Sequence, residues 1–291
     1  MTTPSWNAAK SHKDPYERTP LPGWKHKELL YETIDNGRIA IMTINRPERM
    51  NSSDPEMGLR WFDAWTHFAE DDNCWVAIVT GAGERAFSAG QDLKIRDERE
   101  REAGEGVAPV ERGRVPYQVQ PLGPRLNCWK PTIAAINGFA IAGGWAQAQN
   151  CTFRIAADHA SMNIAEARWN QGAGFVGWLP RLIGIPMSLE VCLLGDRRLS
   201  AQRAYEVGFV NKVVPMADLM DEAVDWARTI CSMAPRAVRN FHQMAYQCWN
   251  MSILESQAFT SALEANLRGM NDSKEGPRAF AEKRAAVFTN T

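Results

Sequence analysis

The segment that decides the fold is KPTIAAINGFAIAGG, residues 130–144. Its residues Thr132–Ile136 form a short apolar run with several β-branched side chains, which is typical of a buried strand. An Asn-Gly turn signal follows, and Gly143-Gly144 then precedes a stretch that is helix-like from Trp145. The segment therefore predicts a strand that leads through small residues into a helix.

A second junction of the same kind lies upstream in VTGAGERAFSAGQDL, residues 79–93. At a strand-to-helix junction, the first N–H groups of the helix have no intrahelical partner. Two junctions that face each other could direct two N–H groups at one oxygen atom, and the helix dipole would add to the attraction. Each junction alone also fits an ordinary structural Gly turn.

The rest of the chain predicts alternating strands and helices, followed by helices only. Asp35-Asn36-Gly37 joins two β-like runs as a hairpin signal. Further strands are expected at 75–80 and 154–157, and helices at 216–233, 235–249 and 252–270. This order predicts an α/β fold with a helical C-terminal part. We expect an N-terminal extension at 1–28, ordered only where it docks, a core at 29–215 and a helical region at 216–291.

Composition excludes several classes of function. The chain has 291 residues and a net charge of −1, so nothing favours binding to nucleic acid or to an anionic membrane. The six cysteines form no CxxC pair, and without a signal peptide they indicate reduced thiols and a cytoplasmic location. His and Cys spacing predicts no metal site, and we expect no cofactor. Eleven Trp is an unusual number.

Taken together, the motifs resemble the enoyl-CoA hydratase/isomerase (crotonase) family from about residue 29 to residue 288. The resemblance implies a spiral of repeated ββα units and acyl-CoA thioester ligands, with coenzyme A as part of the substrate. It also implies a C-terminal helical region that packs homotrimers, often paired into hexamers. The motifs that carry it, in family order, are NRPERMN (45–51), VTGAG and AFSAGQDL (79–93), KPTIAAINGFAIAGG (130–144), GAG (172–174), LPRLIG (179–184), SAQRAYEVGFVNKVVP (200–215) and EGPRAFAEKR (275–284).

The resemblance assigns catalytic roles to three residues. The backbone N–H groups of Gln91 and Gly143 would hold the thioester oxygen. Of the two glutamates that the family's hydratases use, one corresponds to Glu166 and the other to Ala146. The chain therefore keeps one acid/base carboxylate and lacks the other, and the stretch after Glu166 is two residues shorter than in the usual hydratase.

A single carboxylate can shuttle one proton, as in the family's Δ3-Δ2 enoyl-CoA isomerases, so this pattern favours double-bond isomerisation. Two other reactions stay open: an atypical hydration, and carbon–carbon hydrolysis of a cyclic β-keto acyl-CoA. From another class, the chain could be a non-catalytic member that binds CoA esters, a partner or RNA, although its near-neutral charge counts against RNA.

Other positions are expected to contact the substrate or to have structural roles. Trp145, Trp169 and Trp178 suggest a flat apolar acyl pocket, whereas Asp92 and Asp158 are expected to be structural. The charged run at 94–106 is either a solvated helix or loop, or a lid. The expected substrate contacts are Ala89, Gly90, Gly144, Trp145, Ala146, Trp169 and Gly172, and the expected CoA contacts are Arg49, Met50, Phe280 and Lys283.

Overall fold

The structure is a computed structural model that describes residues 15–103 and 126–291. In chain order the strands are β1 (Thr19–Pro20), β2 (Leu29–Ile34), β3 (Ile39–Ile44), β4 (Val76–Gly81), β5 (Ala86–Ser88), β6 (Thr132–Ile136), β7 (Phe139–Ile141), β8 (Phe153–Ala157), β9 (Ser161–Asn163), β10 (Leu199–Ser200) and β11 (Lys212–Val214). The helices are α1 (Met57–Glu70), α2 (Leu93–Ala103), α3 (Gly143–Gln149), α4 (Pro180–Leu193), α5 (Ala201–Glu206), α6 (Leu219–Cys231), α7 (Pro235–Gln247), α8 (Ile253–Ala265) and α9 (Asn271–Glu282).

The strands of the described residues form two sheets. The larger has the order β1-β2-β3-β4-β6-β8-β11, and its strands from β3 onward run parallel. The smaller has the order β10-β9-β7-β5, with β5, β7 and β9 parallel. Every residue of β3, β4 and β6 is buried, which explains why these strands are continuous apolar runs without alternation. The predicted α/β fold is confirmed.

A repeated unit builds both sheets at once. The pair β4-β5 leads into α2, β6-β7 leads into α3, and β8-β9 leads into a 3₁₀ turn at Glu166–Trp169. The first strand of each pair joins the larger sheet and the second joins the smaller sheet. This is the spiral of ββα units that the resemblance implies. Because the second strands are parallel neighbours, the segments that follow them emerge at the same edge.

The side chain of Asn137 joins two consecutive units. It is buried, its Nδ2 donates to the carbonyl oxygens of Gly81 at 2.8 Å and Gly83 at 2.6 Å, and its Oδ1 accepts from Gly81 N at 3.0 Å. These bonds tie the β4–β5 connection to the β6–β7 connection. The Asn-Gly pair predicted as a turn therefore also fixes the offset between the units.

The described part of the N-terminal extension docks on the larger sheet. Trp24 Nε1 donates to the Leu29 carbonyl at 2.7 Å, and its ring lies 5.5 Å from that of Tyr31. The rest of the extension, residues 1–14, lies outside the described residues. After β11 the structure contains helices and turns, as predicted, while the boundaries at 28 and 215 stay predictions. Among the described residues, no helix combines the length and the apolar character that a membrane span needs.

Candidate active site

Three strand ends of the smaller sheet bring the predicted site residues together. The parallel strands β5, β7 and β9 end at Ser88, Ile141 and Asn163. Carboxyl ends of parallel strands meet at one edge of a sheet, where α/β proteins commonly bind ligands. The segments that follow carry Gln91, Gly143 and Glu166, so all three predicted catalytic residues emerge at this edge.

The two glycine junctions are in direct backbone contact. A Cβ atom on Gly90, whose φ is +82°, would lie 2.9 Å from Gly143 N and 2.9 Å from Ala142 Cβ. A Cβ on Gly144 would lie only 2.1 Å from the Ser88 carbonyl oxygen. Only residues without a side chain allow this approach. The junctions therefore face each other, as the two-donor hypothesis requires.

The two facing junctions each contain one of the predicted donor N–H groups, at Gln91 and at Gly143. Ser53 N donates to Gly90 O at 2.7 Å, and Asp92 N donates to Ser53 O at 2.9 Å. The N–H and C=O of Gln91 therefore point away from Ser53, because the C=O and N–H of one trans peptide group point in opposite directions. Gly143 is the first residue of α3, where an N–H has no intrahelical partner.

The turn into α3 is strained. Ala142 has φ +56° and ψ −118°, a region that L residues rarely occupy, and its N–H donates to Asn163 O at 3.0 Å. With Ala142 in this conformation, the first residue of α3 lies next to Gly90. Two N–H donors and the positive end of a helix dipole can stabilise an oxygen atom that gains negative charge.

Glu166 is the carboxylate of the site. It begins the 3₁₀ turn at Glu166–Trp169 and is half-buried. Its Oε2 is buried and has no hydrogen-bond partner within the described residues. Burial raises the pKa of the Glu166 carboxyl, and the backbone N–H groups of Glu166 and Ala165 oppose that effect only in part. A carboxyl with a raised pKa is suited to proton transfer near neutral pH.

Position 146 offers no second carboxylate. Ala146 is fully buried in α3. One turn further on, Gln149 is also fully buried, and its Nε2 donates to Phe175 O at 2.8 Å while its Oε1 accepts from Trp145 Nε1 at 2.9 Å. Both ends of the Gln149 amide are thus used inside the core, so this amide does not replace the missing glutamate.

With this geometry in place, comparison with known proteins identifies the family. A family model described as enoyl-CoA hydratase/isomerase matches residues 34–291. The chain belongs to this family. It is 35% identical to (E)-benzylidenesuccinyl-CoA hydratase of Thauera aromatica over 257 residues, covering 87% of this chain and 96% of the relative. It is also 35% identical to carnitinyl-CoA dehydratase of Escherichia coli O157:H7 over 259 residues, covering 87% and 95%.

Solved structures agree with the family assignment. Enoyl-CoA hydratase from Bacillus anthracis has a TM-score of 0.79 at 31% identity, covering 91% of this chain and 100% of that one. Enoyl-CoA hydratase from Mycobacterium tuberculosis H37Rv has a TM-score of 0.78 at 33% identity, with coverage of 91% and 100%. The protein is therefore an acyl-CoA enzyme with the crotonase fold.

The expected pocket of three Trp rings needs correction. Trp145 is fully buried, and its ring stacks on Phe209 with centroids 4.1 Å apart and planes at 23°. It is therefore a core residue and its ring does not line a pocket. Trp169, with 54% of its surface exposed, follows Glu166 closely, and Trp178 is half-buried near Tyr246. A substrate role for Trp169 stays a prediction.

The remaining expected contacts lie at three places. Met50 O accepts from Ala89 N at 3.0 Å, which brings the loop containing Arg49 and Met50 next to the Gly90 junction. Lys283 follows the end of α9, and Phe280 on that helix is 86% exposed. Gly172 is exposed, and a Cβ there would have no neighbour within 4 Å.

Asp92 and Asp158, which were expected to be structural, are the other two acids to consider. Asp92 Oδ1 accepts from Ile95 N at 3.4 Å at the start of α2, and its Oδ2 lies 3.4 Å from Arg46 Nη2. Asp158 is exposed and accepts from the N–H of His159. The contacts of Asp92 are those of a helix cap and anchor, as expected.

Sequence reasoning missed several neighbours of Glu166. Burial raises the pKa of the Cys192 thiol, the Glu166 carboxylate raises it further, and α4, which carries Cys192, packs against the Glu166–Trp169 turn. Cys192 is on α4, and nothing in its local sequence indicates this proximity. Gln171 contacts the Glu166 turn directly, and Arg96 on α2 donates to Gln171. A polar residue so soon after Glu166 was the available signal for Gln171.

The contact between the junctions makes a testable prediction. Replacing Gly144 with Ala forces a methyl group against the Ser88 carbonyl, so β5 and α3 must separate. We expect Gly144→Ala to lower the free energy of unfolding by about 3 kcal/mol or more, and to weaken binding of butyryl-CoA at least tenfold. Gly276→Ala is the control, since its added methyl has no neighbour within 4 Å. Equal behaviour of the two variants in denaturant unfolding and calorimetry would contradict the contact.

Proposed function

We propose that the protein adds water to, or removes water from, an acyl-CoA thioester through an enolate, with Glu166 as the sole acid/base carboxylate. The N–H groups of Gln91 and Gly143 hold the thioester oxygen. The observation that carries the proposal is the placement of one half-buried carboxylate at the same sheet edge as two backbone donors. The names of the relatives, a hydratase and a dehydratase, support addition or removal of water as the reaction.

One carboxylate is enough for both proton transfers of a syn hydration. Glu166 takes a proton from water as the water oxygen bonds to the β-carbon, and the π electrons move onto the thioester oxygen. The protonated Glu166 then returns that proton to the α-carbon as the enolate collapses. Dehydration follows the same steps in reverse, and the β-hydroxyl leaves as water. A backbone donor at the thioester oxygen is worth about 3 kcal/mol to such a reaction.

The acyl group is proposed to carry functional groups rather than to be a plain alkyl chain. The relatives at 35% identity are named for benzylidenesuccinyl-CoA and carnitinyl-CoA, neither of which is a simple fatty acyl thioester.

Removing the carboxylate tests the proposal. Glu166→Gln cannot accept or release a proton, so we expect turnover of 2-enoyl-CoA and 3-hydroxyacyl-CoA substrates to fall about 10²–10⁴-fold. Butyryl-CoA should still bind within about threefold of the wild-type affinity, because the backbone donors are unchanged. Glu190→Gln, an exposed change on α4, is the matched control. Unchanged turnover in Glu166→Gln would remove this residue from the mechanism.

A second candidate is double-bond isomerisation, which the alanine at position 146 favours. Moving a double bond needs proton removal at one carbon and return at another, and one carboxylate can do both. Mass spectrometry in ¹⁸O-labelled water separates the reactions. Hydration gives a labelled product with one added water, whereas isomerisation of a 3-enoyl-CoA leaves the mass unchanged but forms a conjugated 2-enoyl-CoA, which is followed by its ultraviolet absorbance. Ring opening of a cyclic β-keto acyl-CoA would indicate the hydrolase instead, and binding without turnover would indicate a non-catalytic member.

The raised pKa of Glu166 predicts how kcat/KM falls on the acidic side of the pH profile. Hydration needs the carboxylate form, so kcat/KM falls as pH decreases through the Glu166 pKa of the free enzyme. Because burial raises this pKa, we expect the fall to begin above the ordinary value of 4.5. The Cys192 thiol stays neutral there, since its own pKa is raised above 9.0. A profile that is flat down to the ordinary glutamate range would contradict this environment.

We also propose that other copies of the chain cover the C-terminal helices, in a trimer or a hexamer. Ile253 and Leu254 on α8 are each 77% exposed and Phe280 on α9 is 86% exposed, which is unusual for side chains of this size in a monomer. Replacing Ile253 and Leu254 with Ser should shift the assembly toward single copies in analytical ultracentrifugation. A wild-type chain that sediments as a single copy at micromolar concentration would contradict the proposal.

A further inference from the structure

The turn that carries Glu166 is closed by Gln171. Gln171 N donates to the Glu166 carbonyl at 3.0 Å, and its Nε2 donates to the Trp169 carbonyl at 3.0 Å. Between them Asn170 has φ +51°, a left-handed conformation that Asn tolerates better than most residues and that folds the chain back on itself. One residue thus binds the turn at two points.

The side chain of Gln171 also contacts α2. Its Oε1 accepts a hydrogen bond from Arg96 Nη1, and the Arg96 N–H donates to Asp92 O at 3.1 Å in the first turn of that helix. Asp92 directly follows Gln91, one of the two proposed oxyanion donors. The contact between Arg96 and Gln171 therefore connects the segment that holds the thioester oxygen to the segment that holds the acid/base carboxylate.

Such a connection matters more in this chain than in one with two catalytic glutamates. Glu166 Oε2 has no hydrogen-bond partner within the described residues, so the position of the carboxylate depends on the turn that carries it. A single carboxylate must serve both proton transfers, at the α-carbon and at the incoming or leaving oxygen. Displacement of a reacting group by about 1 Å can reduce a rate by about 10²-fold.

We propose that Arg96 and Gln171 are positioning residues, and that their hydrogen bond is a latch that holds Glu166 at the correct distance from Gln91 and Gly143. The proposal rests on the proposed function, because it assumes that Glu166 transfers the proton. Neither residue touches the reacting atoms. The latch acts through the geometry of the turn, so it affects the chemical step rather than the affinity for the thioester.

Two variants break the latch from opposite sides. Gln171→Ala removes the acceptor and keeps the backbone bond to Glu166 O, and Arg96→Met removes the guanidinium but keeps most of the aliphatic stem. We expect each to lower kcat about 10–100-fold while KM changes less than about threefold. The loss in the double variant should be smaller than the product of the two single losses, because both changes remove the same Arg96–Gln171 bond, although Gln171→Ala also removes the bond from Gln171 Nε2 to the Trp169 carbonyl. Controls are Gln243→Ala and Arg203→Met, which lose comparable bonds to Gln247 and Glu206 elsewhere.

Conservative replacements separate a loss of positioning from a general loss of stability. Arg96→Lys keeps a donor, so its kcat should lie closer to that of the wild type than the kcat of Arg96→Met. Thermal unfolding of every variant is measured alongside. If Gln171→Ala does not fold, Arg96→Met and Arg96→Lys decide the question, since they leave the bonds within the turn intact. Unchanged kcat, a loss confined to KM, or independent multiplication of the two single effects would overturn the latch.

The same series distinguishes failure of the latch from failure of the proposed function. If Glu166→Gln is inactive and Gln171→Ala is fully active, the latch is wrong and the function stands. If Glu166→Gln is fully active, the proposed function is wrong, and the latch proposal, which rests on it, is wrong as well.

Discussion

The close approach of two backbone segments is the constraint on which the site depends. Gly144 in α3 lies so near the Ser88 carbonyl that a single methyl group does not fit, and a Cβ on Gly90 would lie 2.9 Å from Gly143 N at the start of α3. Because these contacts involve main chain on both sides, they fix the relative position of two peptide groups without any side chain. Donors placed in this way need little reorganisation when charge develops on a thioester oxygen.

The ββα repeat supplies that constraint and also places the carboxylate. Each unit adds one strand to each sheet, and the ends of β5, β7 and β9 follow one another along a single edge. The Ala142 N–H bonds to Asn163 O, so the third unit is tied to the strained turn of the second. Glu166 then lies three residues beyond this bond, in a setting that raises its pKa. One carboxylate in such a setting can carry a proton in both directions, which is what an enolate mechanism with Ala146 requires.

Much of this arrangement could be predicted from the sequence, because glycines at strand ends leave a local signal. The buried strands β4, β6 and β8 were expected from their apolar runs, as were the hairpin and the C-terminal helices. The strands of the smaller sheet were not, since β5, β7, β9 and β10 have two or three residues each and show no periodicity. The predicted helix at 252–270 ends early, at Ala265, and Gly269 beyond it has φ +85°.

Side-chain roles were harder to predict than the backbone. Trp145 follows the glycine pair directly and was expected in the pocket, but a residue on a short helix can point either toward the site or into the core, and Trp145 packs on Phe209. The electrostatic influence of Glu166 on Cys192 and its backbone bond to Gln171 depend on how α4 and the turn fold back. The preference for isomerisation rested on the alanine at position 146 and on the short stretch after Glu166, and it is not confirmed by the names of the relatives.

The most direct test of the central claim is exchange of the α-protons of butyryl-CoA in D₂O, followed by NMR. A saturated thioester can form the enolate but has no double bond to hydrate or move, so exchange reports only proton transfer by the carboxylate and stabilisation of the enolate. The account predicts that the wild-type enzyme exchanges one of the two α-protons, because Glu166 approaches the α-carbon from a single face. Bound butyryl-CoA that shows no exchange in the wild-type enzyme, or equal exchange in Glu166→Gln, would contradict it.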